Sequence, residues 1–352
     1  MSQPKVTIVI TQRERFCFTQ VSLESILADD SYPFDLIYVD GGSPTVIQEY
    51  LTRKASEDER ITLIRRDHYL KTNEARNLAL PLTKDSDYVA FVDNDVIVEP
   101  GWLKLLVNCG EKEQASLVAP LIFEGNPQLP EAEKLVHIAG AMLQYKQQDS
   151  GQAILNIYHK MHHVKLGTQK LERTWVDSIE FHANLVRRSL LDKVILEPDC
   201  DSLNSHVDLC LQAKMLGEKA ILEPQARVTF INPLLVSGFD QDDVRLHFFR
   251  WGEQNLQNAL DKMERKWKLD PKHPFLWEFH RWAILNRQLP LKWATKEGSF
   301  TRNLLKVCKL KSCPSWLRSA IESFVFKMTF PKTGVPCNLK RDVLELQQAS
   351  VV

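Results

Sequence analysis

Short apolar runs alternate with helically spaced segments along the first 125 residues. Val6 to Ile10, Asp35 to Asp40, Ile61 to Ile64, Tyr88 to Val98 and Ser116 to Phe123 are the apolar runs. Rich in Val and Ile and only a few residues long, they read as buried strands. Between them, Phe18 to Ala28 carries Val21, Leu23, Ile26 and Leu27 at helical spacing, and Thr45 to Lys54, Asn73 to Leu80 and Leu103 to Cys109 read as further helices. Strand and helix alternating in this way predict an α/β fold: a Rossmann-like, mostly parallel sheet flanked by helices.

The pattern loosens beyond residue 124. Glu124 to Lys134 is polar and proline-bearing and reads as a loop, with a hairpin expected around Met142-Leu143 and Ile154 to Tyr158. Trp175 to Arg188 alternates enough for one strand, Asp208 to Leu216 reads as a short helix ending at Gly217, and Ala220 to Leu222 and Ala226 to Ile231 read as two last strands. From Asp240 the texture is helical: one helix over Val244 to Lys268, then Phe275 to Arg287, Phe300 to Leu310 and Pro314 to Met328. The expected division is an α/β domain over 1–235 and a helical region over 236–352, with the boundary near 233–240.

Ligands of doubly wound sheets bind beyond the carboxyl ends of the strands. Thr11, Asp40 and Asp93 all stand at such ends. Asp93-Asn94-Asp95 interrupts the Tyr88 run with two carboxylates one residue apart, a spacing that turns both toward one side. Mg²⁺ takes one or two protein carboxylates and completes its shell with water and substrate phosphates. Asp and Asn are also common turn formers, so the triplet alone leaves a plain turn open.

Composition narrows the class. The chain has 352 residues, 44% apolar and 26% charged, within the range of globular proteins. Formal net charge is zero, so nothing global points to nucleic acid. Residues 261–352, however, hold 18 Lys and Arg against 8 Asp and Glu. This basic tail suits a solvated helical surface, an anionic ligand or peripheral contact with a membrane surface. The seven scattered cysteines form no CxxC pairs, so reduced thiols and a cytoplasmic setting are expected. The N-terminus has no signal-peptide pattern, and no run approaches the ~18–20 apolar residues of a membrane span.

With Ile37–Ser43 (IYVDGGS), Asn73–Leu80 (NEARNLAL) and Asp93-Asn94-Asp95 in order, residues 4–231 resemble the family-2 glycosyltransferases of the GT-A fold. The resemblance implies that Asp40 contacts the nucleoside of a sugar nucleotide and that Arg76 and Asn77 line the nucleotide pocket. It also implies that Asp95 binds the metal, with Asp93 near both ribose and metal, and that Thr11 lies at the same crevice. The cofactor so implied is Mg²⁺ or Mn²⁺. Ser205-His206-Val207-Asp208 stands where the family has its acidic base motif, which makes His206 or Asp208 the residue that deprotonates the acceptor. Asp208 also suits a helix cap. Phe230 stands where the family often has a metal-binding histidine, leaving metal binding to the carboxylates and donor phosphates. His182 reads more readily as structural, and His137 with the His159, His162 and His163 cluster more readily as solvated histidines than as a metal site, because no spacing among them is that of a ligand set.

The activity implied is inverting transfer of a hexose from a nucleotide diphosphate sugar to a hydroxyl of a glycan or lipid-linked glycan. A non-catalytic protein that only binds nucleotide sugars is the alternative, supported by Ser205, His206 and Phe230. A dinucleotide-dependent oxidoreductase fits poorly, because the first strand exit, Thr11 to Phe16, contains no glycine.

Overall fold

The computed structural model describes residues 3–200, 204–231, 241–308 and 313–329. The expected domain boundary at 233–240 lies outside the described residues. In chain order the first half contains β1 (Val6–Thr11), α1 (Thr19–Leu27), β2 (Asp35–Gly41), α2 (Thr45–Glu57), β3 (Ile61–Arg66), α3 (Thr72–Ala79), β4 (Tyr88–Asp93), β5 (Val96–Val98), α4 (Trp102–Glu113) and β6 (Leu117–Glu124). There follow β7 (Leu135–Ile138), β8 (Ala141–Gln147), β9 (Ala153–His159), β10 (Val164–Lys165), β11 (Thr174–Val176), β12 (Ala183–Arg187), α5 (Arg188–Leu191), α6 (Ser205–Met215) and β13 (Ala220–Phe230). Helices α7 (Gln241–Arg250), α8 (Glu253–Trp267), α9 (Pro274–Arg287), α10 (Leu289–Ala294), α11 (Phe300–Val307) and α12 (Ser315–Thr329) complete the described chain.

The main sheet runs β10-β7-β6-β12-β4-β1-β2-β3, with β13 joining β6, β5 and β11. Its N-terminal half, β4-β1-β2-β3, is wholly parallel. Every residue of β1 and β4 is buried, as expected for strands with helices on both faces. β12 then enters antiparallel beside β4, with Ala183 opposite Val92. That pairing brings the turn before β12 to the carboxyl end of β4. β8 and β9 form the expected hairpin as a separate two-stranded sheet.

Five boundaries differ from the sequence pattern. The Tyr88 to Val98 run is two strands, β4 and β5, divided at Asn94-Asp95. The Trp175 to Arg188 run is two strands, β11 and β12, separated by Asp177–His182, whose alternating polarity imitates a strand. The two last strands are one, β13, carrying an irregularity between Glu223 and Arg227. The Val244 to Lys268 helix breaks at Trp251-Gly252, where α7 ends and α8 begins. Helix α6 starts three residues earlier than expected, so Ser205 and His206 lie in its first turn.

Helix α8 is fastened to the α/β part by its apolar face. Leu256, Leu260, Met263 and Trp267 recur at helical spacing, are buried, and belong to the same apolar cluster as Val207 and Leu211 of α6 and Phe91 of β4. Each such side chain contributes about 1.5–3 kcal/mol of transfer free energy. A smaller cluster of Val244, Leu291, Leu305 and Val325 holds α7 and α10 to α12 together.

Candidate active site

Parallel register assembles the site. Thr11 at the end of β1 pairs with Asp93 at the end of β4 on one side and Val39 of β2 on the other. The three exits therefore open on one edge of the sheet. Asn94 turns away from its two neighbours: its amide donates to the Arg15 carbonyl at 2.6 Å, and its Oδ1 accepts from the Arg13 amide at 2.9 Å. This fixes the β1–α1 loop and leaves Asp93 and Asp95 to act as a pair.

Asp93 is 2% exposed and 3.1 Å from Arg76 Nη2, 3.4 Å from Arg13 Nε and 3.5 Å from His182 Nδ1. The Asp93 amide donates to the His182 carbonyl at 2.9 Å, a consequence of the antiparallel entry of β12. One ligand-type atom each from Asp93, Asp95 and His182 lies within 4.8 Å of the others. Oδ1 of Asp95 is buried and has no hydrogen-bond partner among the described residues. Burial pushes both carboxyls above their usual range, against the pull of Arg13. Burial, with Arg13 alongside, holds the His182 imidazole well below its usual value and therefore neutral, the form that ligates metals. Two buried carboxylates, one with an unpartnered oxygen, and a neutral imidazole at this spacing fit a divalent cation.

Arg13 is the resident cation of the cluster. Its Nη1 lies against the His182 ring, where the neutral imidazole can accept from it at one nitrogen only, and the guanidinium stands 5.0 Å from the centre of the Phe230 ring. Glu14, 4% exposed, faces Arg250 Nε at 3.6 Å and His247 Nδ1 at 4.0 Å, tying this loop to α7. Burial alone would raise the Glu14 carboxyl; Arg13 and Arg250 bring it below its usual range.

The expected donor-binding residues separate into two groups. Thr11 is 1% exposed, and its hydroxyl is without a partner among the described residues. Arg76 faces the cluster, stacked 3.8 Å over the Phe181 ring and bonded to both Asn73 and Asp93. Asn77 does not join it: its amide donates to the Leu196 carbonyl at 2.8 Å and ties α3 to the 188–200 segment. Asp40 is fully buried and accepts from Gln12 Nε2 at 2.6 Å, from Ser43 Oγ at 2.8 Å and from Arg65. The Gly41-Gly42 turn makes this closure: a Cβ on Gly41 would meet the Leu70 amide nitrogen at 2.9 Å, and Gly42 has φ +65°.

The two candidate bases also have different surroundings. His206 Nε2 lies 3.2 Å from Glu180 Oε1, with both side chains partly open to solvent. Burial lowers the His206 imidazole, opposed by Glu180. For Glu180 burial acts upward, and His206 with His137 outweighs it, so the carboxyl sits below its usual range. Asp208 is 1% exposed and accepts from Lys266 Nζ at 2.8 Å, Trp267 Nε1 at 2.9 Å and Gln212 Nε2 at 2.9 Å. It clamps α6 to α8.

Sequence reading missed Arg13, Glu14 and Glu180, and undervalued His182. Glu180 and His182 share one-residue spacing just before a strand, a signal comparable to Asp93 and Asp95. What hid them is that only the β12–β4 pairing shows what they face.

A parallel half-sheet ending in an acidic triplet, continued by an antiparallel segment, is the architecture of the GT-A class. The chain belongs to glycosyl transferase family 2, whose sequence model matches residues 7–194. Among solved structures, the crystal structure of GalNAc-T7 with UDP, GalNAc and Mn²⁺ is similar at a TM-score of 0.55 and 13% identity. That similarity covers 92% of this chain and 56% of the GalNAc-T7 chain, so this chain spans little more than half its length. The mannosyltransferase PcManGT from Pyrobaculum calidifontis, in complex with GDP-Man and Mn²⁺, gives 16% identity over 94% of this chain and 89% of its own, at a TM-score of 0.47. At 13% identity the likeness to GalNAc-T7 is one of fold. No curated protein sequence matches the chain. Among the described residues no helix is long and apolar enough to cross a membrane.

Proposed function

We propose that the protein transfers a hexosyl unit, with inversion, from a nucleotide diphosphate sugar to a hydroxyl of a glycan or lipid-linked glycan. The observation that carries this reading is the buried Asp93, Asp95 and His182 cluster at the strand exits, with its unpartnered carboxylate oxygen. Mg²⁺ or Mn²⁺ held by these three residues would supply Lewis-acid stabilisation of the charge growing on the departing diphosphate. Arg76 orients Asp93 by its hydrogen bond and, buried against Phe181, opposes the burial that raises this carboxyl. Arg13, at the mouth of the same cluster, offers a second positive group to the diphosphate. Thr11 brings a free hydroxyl to the donor. Asp40 shapes the nucleoside pocket by fixing Gln12, Ser43 and Arg65. Asn77 supports the pocket wall through Leu196.

His206 is assigned the acceptor base. With Nε2–H donated to Glu180, the lone pair on Nδ1 receives the acceptor proton, and the Glu180 carboxylate stabilises the imidazolium that forms. Asp208 is assigned a positioning role, because its partners leave its carboxylate no room for an acceptor. The Glu180–His206 pair favours catalysis over donor binding alone. Peripheral membrane contact by the helical region finds support in exposed Phe300, Trp316 and Met328 beside its basic residues.

Transfer and donor hydrolysis, measured across a panel of nucleotide sugars with and without Mn²⁺, test the reading. Wild type should turn over a donor only with the metal, and Asp95→Ala should lose that turnover. Full metal-dependent turnover in the variant would refute the assignment.

A further inference from the structure

A second set of ligand-type side chains converges beside the donor cluster. Glu124 ends β6, His137 stands in β7, and His163 immediately precedes β10. The antiparallel pairing of β6 with β7 sets Glu124 opposite Leu135 and Phe123 opposite Val136. The His163 amide donates to the Val136 carbonyl at 2.9 Å, so the turn carrying it is stitched to β7. Oε2 of Glu124 lies 3.1 Å from His137 Nδ1, and Oε1 lies 2.5 Å from His163 Nδ1. One ligand atom from each residue lies within 4.8 Å of the others.

The Glu124 carboxylate is only 3% exposed, whereas the His163 side chain is 49% exposed. Two imidazoles flank the buried Glu124 carboxylate, one on each oxygen, so the three side chains present one anionic and two neutral ligand groups to a common point. Two nitrogens and one oxygen form the donor set of zinc-type sites, in which a water takes the fourth position. The half-exposed side of His163 gives that water access. The turn itself is held against local preference: Met161 has φ +54° and His163 φ +56°, left-handed values uncommon for residues other than glycine. A backbone so constrained at the residue that presents the ligand is an outlier of the kind found at functional sites.

We propose that Glu124, His137 and His163 form a second divalent-cation site, of zinc type, that fastens the 159–165 segment to the edge of the main sheet. It shares no ligand with Asp93, Asp95 and His182, whose oxygen-rich set suits a harder cation. The two are neighbours nonetheless, since the His137 ring centre lies 4.9 Å from that of His182 and 5.4 Å from that of Phe230. Loading the second site therefore stiffens the wall behind the donor cluster. The proposal does not rest on the transfer reaction.

The test uses full-length, chelator-stripped protein carrying Asp95→Ala, which removes the donor cluster as a competing site. Zn²⁺ is titrated calorimetrically, and Co²⁺ is titrated while visible d–d absorption is followed. The expected result is one Zn²⁺ per chain and Co²⁺ bands of a four- or five-coordinate site. Adding His163→Ala, a change at a half-exposed position, should weaken Zn²⁺ by about 100-fold or more and abolish the bands. His137→Gln should do the same, with circular dichroism confirming that each variant is folded. Absence of Zn²⁺ binding in Asp95→Ala, or affinity unchanged by both histidine substitutions, would overturn the proposal.

Discussion

Replacing Asp208 by Asn separates a catalytic base from a structural clamp. Asn keeps an acceptor oxygen for Trp267 Nε1 but removes the charge facing Lys266 Nζ at 2.8 Å. Removing one partner of a fully buried pair costs about 3–5 kcal/mol, whereas an exposed pair is worth roughly 0–1 kcal/mol. The Lys266 side chain is 25% exposed and can rehydrate, which places the loss between these limits, at about 1–3 kcal/mol. Thermal unfolding should show a fall in Tm of roughly 2–8 °C. Steady-state transfer should retain kcat/KM within about tenfold, because the variant perturbs α6 only through α8. His206→Gln should show the reverse: a Tm near wild type, and kcat lower by about 10²–10⁴, the usual worth of a general base. If Asp208→Asn loses activity on that scale at an unchanged Tm, Asp208 is the base and the clamp assignment is wrong.

Two further perturbations probe other parts of the structure. Burial, opposed by Glu14 and the Asn286 carbonyl, holds the His247 imidazole down to about 4 from an ordinary 6.5. As pH falls the unfolded chain takes up this proton first, so the group's contribution is complete above pH 6.5 and is lost between 6.5 and 4. Wild type should lose about 2 kcal/mol more than His247→Gln between pH 7 and pH 5 in urea denaturation; equal losses would refute this. Phe230→His would set an imidazole where the Phe230 ring now lies 4.0 Å from that of His182. Mn²⁺ affinity should rise about tenfold, as expected for an added nitrogen ligand, and an affinity unchanged or weakened would count against the placement of the metal cluster.

The strands and their exits were legible because buried parallel strands need continuous apolar runs, and β1, β2 and β4 satisfy this. Asp93 and Asp95 were legible as candidates for the same reason, since they interrupt such a run at a strand exit, although a plain turn uses the same residue types. His182 and Glu180 were not, because their role depends on β12 crossing beside β4, a pairing between residues some ninety positions apart that no local pattern encodes. The β11–β12 gap imitates strand alternation, and the α7–α8 break at Trp251-Gly252 interrupts an otherwise regular helical spacing. Asn77 and Asp208 carry the residue types that the family pattern expects, yet the structure commits both side chains to protein partners. Residue type alone cannot distinguish a side chain that meets substrate from one that holds up the wall behind it.

The central claim is that Asp93, Asp95 and His182 hold the cation that engages the donor diphosphate. Electron paramagnetic resonance of Mn²⁺, titrated with and without a nucleoside diphosphate, tests it most directly. Wild type should bind one Mn²⁺ more tightly when the nucleotide is present, and Asp95→Asn and His182→Ala should each weaken that nucleotide-dependent binding by about tenfold or more. Nucleotide-dependent Mn²⁺ binding left intact in both variants would contradict the account.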